Sequence, residues 1–235
     1  MSSQSLTTHT TSPVLQPTAI EQTRVSSPRA WAWVGAAAGA ASIASIQLSM
    51  AAGPTYGPTA PTPESITRDL AAQIPQLLAF HVVTVVAALL VLVFAAGLKR
   101  RLDAQAPAGS LLPSIAATGL LVVSVTQILG SGLNTEFIFG LKQPEALIAS
   151  DVSFYSHWIA TIPWLWVTAG VSAVALGLAA LRGAAPRWLG IVSLGLGALT
   201  VLVGISPLQY LAGFVGPVWL LVAALTFALG DRRQA

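Results

Sequence analysis

The residues that decide the fold occupy positions 151–166 and run Asp-Val-Ser-Phe-Tyr-Ser-His-Trp-Ile-Ala-Thr-Ile-Pro-Trp-Leu-Trp. Here a polar loop is expected to enter a membrane. The stretch contains His157, one of only three histidines, and three of the seven tryptophans. It also contains Pro163, which removes a backbone hydrogen-bond donor inside an apolar run and predicts a kink in the membrane-spanning helix.

The composition of the whole chain is that of a membrane protein. Its 235 residues are 54% hydrophobic and 8% charged, whereas about 25% of the residues in a soluble domain are charged. Because a transmembrane helix needs about 20 apolar residues, the sequence predicts an all-α integral membrane bundle. Its six transmembrane helices are predicted at residues 30–52, 76–98, 111–131, 154–181, 188–205 and 208–229.

The segments outside the spans are polar. Residues 1–29 are rich in Ser, Thr, Gln and Pro, which predicts a disordered tail. A cleaved signal peptide is the alternative, but residues 30–52 are longer than its apolar region of about 7–15 residues. Residues 231–235 are predicted to form a second short tail.

The two long loops between the spans each contain a predicted helix start. Thr62, Pro63 and Glu64 predict the start of a short helix on the membrane surface that ends at Pro75. A loop over residues 132–153 has a similar helix start around Pro144.

The basic residues predict the orientation. With the N-terminus inside, nine of the eleven Lys and Arg residues are cytoplasmic and two, Arg68 and Lys142, are exterior. The positive-inside rule therefore predicts that both termini are cytoplasmic. The basic clusters lie at helix ends, which is typical of topology signals rather than of a nucleic-acid-binding face.

Several classes of function are disfavoured. No Asp, Glu, Lys or Arg lies within a predicted span, which counts against a pump, a proton-coupled transporter or an intramembrane protease. The chain has no cysteine, so disulfides and thiolate chemistry are excluded. It also lacks the GxxxxGK[ST], HExxH and GxSxG motifs.

The polar side chains of the spans cluster towards their outer ends. Because polar groups in a bilayer need partners, we expect these side chains to face one another around an outward-opening pocket. The residues predicted to bind a ligand there are His81, Thr84, Gln127, Ser131, His157, Thr161 and Trp164.

His81 and His157 leave several interpretations open. They are predicted to lie at similar depth, where they could share a divalent metal with Glu136 or Asp151, ligate a haem, or recognise a small polar ligand. The structural alternative is a simple hydrogen bond from each histidine to a neighbour such as Gln47 or Gln127. No cofactor is favoured over the others.

The tryptophans of the spans fall into two predicted groups. Trp158 and Trp188 are predicted interfacial anchors. The deeper Trp164 and Trp166 need internal acceptors for their indole N–H groups.

One segment resembles a known group of proteins. Residues 179–199 contain a Pro-Arg-Trp-Leu-Gly turn at positions 186–190. This resembles the turn between helices four and five of small six-helix actinobacterial membrane proteins. The resemblance implies a six-helix fold and a bacterial source, hence a bacterial plasma membrane, but no reaction or ligand.

Two functions follow as predictions. The first is a non-enzymatic small subunit or accessory protein that binds a partner protein, a second copy of itself or lipid through its loops and its Gly- and Ala-rich helix faces. The second is a ligand-, metal- or haem-binding membrane protein, which would include an enzyme, that uses the pocket around His81 and His157.

Overall fold

The computed structural model describes residues 29–53, 61–143, 145 and 147–230. Their main helices, in chain order, are α1 (Ala30–Ala51), α2 (Pro63–Ala71), α3 (Ile74–Asp103), α4 (Leu112–Leu141), α5 (Ala149–Thr161), α6 (Val167–Leu181), α7 (Arg187–Gly204) and α8 (Leu211–Gly230). The predicted terminal tails, apart from Arg29, and the helix start at Pro144 lie outside the described residues.

Six helical segments among the described residues are long and apolar enough to cross a membrane. They are α1, α3, α4, the consecutive helices α5 and α6 taken together, α7 and α8. The predicted all-α bundle of six spans is confirmed, and the chain is a multi-pass membrane protein.

The spans form a closed ring. Helices α1, α3, α4, α6, α7 and α8 each pack on the next in the chain, and α8 packs back on α1. Small residues allow close approach, because a Cβ added to Gly119 of α4 would lie 2.3 Å from the carbonyl oxygen of Thr168. Between α7 and α8, the indole N–H of the buried Trp219 donates to Ser193 Oγ at 3.0 Å. Close packing and internal hydrogen bonds thus hold the ring together.

The fourth span is broken rather than kinked. Helix α5 ends at Thr161, a 3-10 turn covers Ile162–Trp164, and α6 begins at Val167. Pro163 lies in the turn and cannot donate a backbone hydrogen bond. The fully buried Trp166 donates its indole N–H to the carbonyl oxygen of Pro163 at 2.9 Å. The helix predicted to be continuous is therefore two helices joined by a turn, and the side chain of Trp166 holds this turn in place.

Helix α4 extends ten residues past its predicted end at residue 131, into the first part of the predicted loop. The polar residues Asn134 and Glu136 favoured a loop, but the apolar face continues through Phe137 and Leu141, which are buried. At about 1.5 Å per residue the 30 residues of α4 span about 45 Å. This length exceeds a hydrocarbon core of about 30 Å, so α4 extends beyond the hydrocarbon region.

A second hydrophobic core surrounds this projecting part of α4. Phe137, Ile138 and Leu141 pack there with Ile66 and Leu70 of α2, and with residues of α3 and α5. We call this end of the bundle the α2 end. The second core is distinct from the larger core between the spans.

Helix α2 is confirmed, with a capping box formed by Thr62 and Ser65. Its surroundings differ from the prediction, because Ile66 and Leu70 are buried by protein in the second core. Pro75 was expected to end this helix, but it lies in the first turn of α3 instead.

Candidate functional site

A partly enclosed cavity of about 190 Å³ lies at the α2 end, between α2, α3, α4, α5 and the end of α1. We call it the α2-end pocket. Its buried lining is mostly apolar and consists of Leu70, Leu77, Phe80, Phe137 and Ile159 together with the polar Ser49. Its more exposed lining is partly polar and includes Gly53, Ser156 and His157. The cavity thus has an apolar interior and a polar rim.

A second, narrower cavity adjoins the first. Phe80 and Ile159 line both cavities and so separate them. We call the second cavity the inner crevice; it is lined by Phe80, His81, Thr84, Gly130, Ser131, Asn134, Ile159 and Ile162. In this conformation the crevice is too tight to admit a water molecule. Polar groups therefore lie immediately beyond the apolar interior of the α2-end pocket.

The hydroxyl groups around these cavities have defined hydrogen-bond directions. Thr84 Oγ1 donates to the carbonyl oxygen of Phe80 at 2.7 Å. Its one proton is then used, so Ser45 Oγ must be the donor in their 2.6 Å contact. Ser49 Oγ likewise donates to the carbonyl oxygen of Ile46 at 2.8 Å and accepts from Trp164 Nε1 at 3.1 Å. The hydroxyls of Thr84 and Ser49 are thus saturated as donors and occupied as acceptors, and the hydroxyl of Ser45 is used as a donor.

Four other buried polar atoms have no hydrogen-bond partner among the described residues. They are Ser42 Oγ, Gln127 Oε1, Ser131 Oγ and Asn134 Oδ1. Three of the four belong to one stripe of α4, since residues 127, 131 and 134 are spaced four and three apart. A buried polar group without a partner costs about 1–3 kcal/mol. This stripe is therefore the place in the bundle where an additional polar group would be most stabilising.

The predicted site residues divide between the two cavities. His81, Thr84 and Ser131 line the inner crevice, whereas the exposed His157 lines the α2-end pocket. Gln127 is buried on the same α4 stripe as Ser131.

Thr161 and Trp164 lie at the break in the fourth span, and neither lines the inner crevice or the α2-end pocket. Thr161 Oγ1 donates to the carbonyl oxygen of His157 at 2.7 Å and contacts the hydroxyl of Tyr210 at 3.1 Å. The prediction that Trp164 and Trp166 find internal acceptors is confirmed, in Ser49 and Pro163 respectively.

The two histidines do not line a common cavity. His81 Nδ1 lies 3.5 Å from Thr135 Oγ1, at the limit of a hydrogen bond. Glu136 and Asp151, the predicted additional metal ligands, line a third cavity that includes neither histidine. No group of three or more His, Asp or Glu side chains within the described part of the chain is arranged to hold a metal. Metal or haem ligation by His81 and His157 stays a prediction.

The contribution of α1 to the polar interior was not predicted from the sequence. Ser42, Ser45 and Ser49 form its buried polar face, whereas Gln47, the expected partner of a histidine, is exposed. The spacing of three and four between these serines is a helical periodicity that indicates one face. The periodicity of these serines is weak in the sequence because the neighbouring residues of α1 are also small.

The Ser45–Thr84 hydrogen bond is expected to couple α1 to α3. A double-mutant cycle of Ser45→Ala and Thr84→Val should give a coupling energy of about 0.6 kcal/mol, the average for buried hydrogen bonds between membrane helices. The free energy of unfolding in detergent, measured for the two single variants and the double variant, checks this. Strictly additive losses would contradict the inferred bond.

Comparisons with known proteins add nothing to this geometry. The chain matches no family model, no curated protein and no solved structure. Its six apolar helices make it an integral, multi-pass membrane protein in contact with the lipid bilayer.

Proposed function

We propose that this protein binds a small amphiphilic molecule in the α2-end pocket. The observation that carries the proposal is the pocket itself, in which five buried apolar side chains lie behind a rim that contains Ser156 and His157. Ligand sites in proteins are typically concave and mostly apolar, with a few polar groups that orient the ligand. The α2-end pocket has this composition.

The size of the pocket limits the ligand. A cavity of roughly 150 Å³ lined by Leu, Ile and Phe is sufficient to bind benzene. At about 190 Å³, the α2-end pocket suits an apolar body the size of one aromatic ring with a short substituent. The proposed ligand therefore combines such a body with a polar group.

The accessory-subunit function requires glycine faces that are free to bind a partner. It has less support, because several of these faces pack inside the bundle. Gly35 and Gly39 of α1 pack against Phe94 and Leu221, and Gly197 of α7 packs against α6. Gly195 of α7 has open space in front of it, and α7 is the least buried span. This face of α7 supports partner binding or self-association as a second candidate function. Purification in a gentle detergent tests it, and recovery of monomer alone would count against it.

We further propose that the α2 end faces the exterior of a bacterial plasma membrane. The support is the distribution of charge, because six of the eight Lys and Arg residues that the structure describes lie at helix ends opposite the α2 end. A ligand would then reach the pocket from outside the cell or from the outer leaflet.

Filling the pocket tests the proposed function. Ethylbenzene, as a probe, should raise the thermal unfolding midpoint of the purified protein, because a ligand that binds only the folded state stabilises it. Ala160 lines the pocket, so Ala160→Phe should remove this stabilisation. Ala198 is exposed on α7, and Ala198→Phe serves as the matched control that should retain it. Equal responses of the two variants to ethylbenzene would refute the proposal.

A further inference from the structure

The strongest unexplained feature of the bundle is the inner crevice. It lies directly behind Phe80 and Ile159, which also line the α2-end pocket. The carbonyl oxygen of Leu77, another pocket residue, accepts a hydrogen bond from Asn134 Nδ2 at 3.4 Å. A side chain that lines the crevice is therefore bonded to the backbone of a residue that lines the pocket.

Two crevice side chains have unsatisfied hydrogen-bonding capacity. Asn134 is 1% exposed and Ser131 is 5% exposed, and neither Asn134 Oδ1 nor Ser131 Oγ has a partner among the described residues. The contact with the Leu77 carbonyl fixes the amide orientation, because a carbonyl oxygen can only accept. The free atom of Asn134 is thus an acceptor that lacks a donor.

The lining of the crevice defines the group it would take. It contains no Asp or Glu, so nothing there would compensate the desolvation of a cation. A neutral donor satisfies Asn134 Oδ1 without that cost, and a hydroxyl group can at the same time accept from Ser131 Oγ. These requirements match an alcohol or a phenol.

We infer that the inner crevice binds the hydroxyl group of the ligand whose apolar body occupies the α2-end pocket. This inference rests on the proposed function. Because the crevice is closed to water, the side chains of Phe80 and Ile159 must move apart to admit the hydroxyl. The ligand then enters with its polar group deepest, and its apolar body remains in the α2-end pocket.

Two probes of nearly equal shape test the inference. 4-Ethylphenol carries the hydroxyl that ethylbenzene lacks. The wild-type protein should bind 4-ethylphenol about tenfold more tightly, the effect of one well-formed neutral hydrogen bond. Asn134→Leu, which keeps the size of the side chain, should bring the ratio of the two affinities close to one. Ser131→Ala provides a second, smaller change that should reduce the advantage in the same direction.

Each probe also partitions into the detergent. This contribution cancels when the affinity of one probe is compared between the wild-type protein and a variant. An affinity ratio of the two probes that is the same in the wild-type protein and in Asn134→Leu would overturn the inference while leaving the proposed function intact. So would a phenol advantage that His157→Ala abolishes and Asn134→Leu preserves, since the hydroxyl would then lie at the rim of the pocket. Failure of both probes to bind would remove the proposed function itself.

Discussion

Replacing Trp166 by alanine is expected to lower the free energy of unfolding by about 3–5 kcal/mol, the usual cost of truncating a buried tryptophan. Trp166 is fully buried, and its ring packs against Gly216 of α8. Truncation would leave a cavity in the centre of the bundle and remove the donor to the Pro163 carbonyl oxygen. Titration with a denaturing detergent would measure the loss.

Trp158 supplies the control on the same broken span. Its side chain is 52% exposed, so Trp158→Ala should change the free energy of unfolding far less. Trp166→Phe keeps most of the packing and loses only the indole N–H, and it should fall between the two. If Trp158→Ala were as destabilising as Trp166→Ala, Trp166 would not be the residue that holds the break.

Replacing Gly119 by alanine is the second change with a large expected effect. An added Cβ would lie 2.3 Å from both Thr168 O and Ser172 Oγ. The first of these atoms belongs to the backbone and cannot rotate away, so α4 and α6 would have to separate. We expect a loss of about 2–3 kcal/mol, at the upper end of the usual range for overpacking.

Gly132 on the same helix provides the control, because its replacement by alanine is expected to increase the stability. Nothing lies within 4 Å of a Cβ added there, so Gly132→Ala should gain up to about 1 kcal/mol from the better helix propensity of alanine. The thermal unfolding midpoints of the two variants in one detergent would show this. A destabilising Gly132→Ala or a neutral Gly119→Ala would contradict the described packing of α4.

The global fold was predictable because it depends on physical properties that a single sequence displays. Lipid requires long apolar helices, and residues such as Ile74 to Leu98 show that requirement directly. The end of α4 was not predictable in the same way. Asn134 and Glu136 are typical of a loop when taken alone, and only contact with α2 shows why the helix continues past them.

The candidate site was predictable to a smaller extent. The sequence placed Thr84, Ser131 and His157 towards the same end of their spans, but which side chains share a cavity depends on the rotation and tilt of each helix. The ring places Phe80 and Ile159 between the two histidine-lined cavities. No periodicity in the sequence specifies that separation.

The break in the fourth span connects the fold to the site. Ile162, in the 3-10 turn, packs on Gly130 of α4 and lines the inner crevice. Ile159, one turn earlier in α5, lines both cavities. Because α5 ends at Thr161, α5 is not constrained to follow the axis of α6. The proline and tryptophan that form the break thereby fix the wall of the proposed binding site.

A bound probe located by crystallography would show most directly whether the α2-end pocket is a ligand site. Bromobenzene has the ring size that the pocket admits, and its bromine scatters X-rays anomalously. In crystals of the wild-type protein soaked with bromobenzene, we predict an anomalous peak between Phe80, Ile159 and His157, and no such peak in Ala160→Phe crystals. Bromine peaks only on lipid-facing surfaces, with the α2-end pocket empty, would contradict the account.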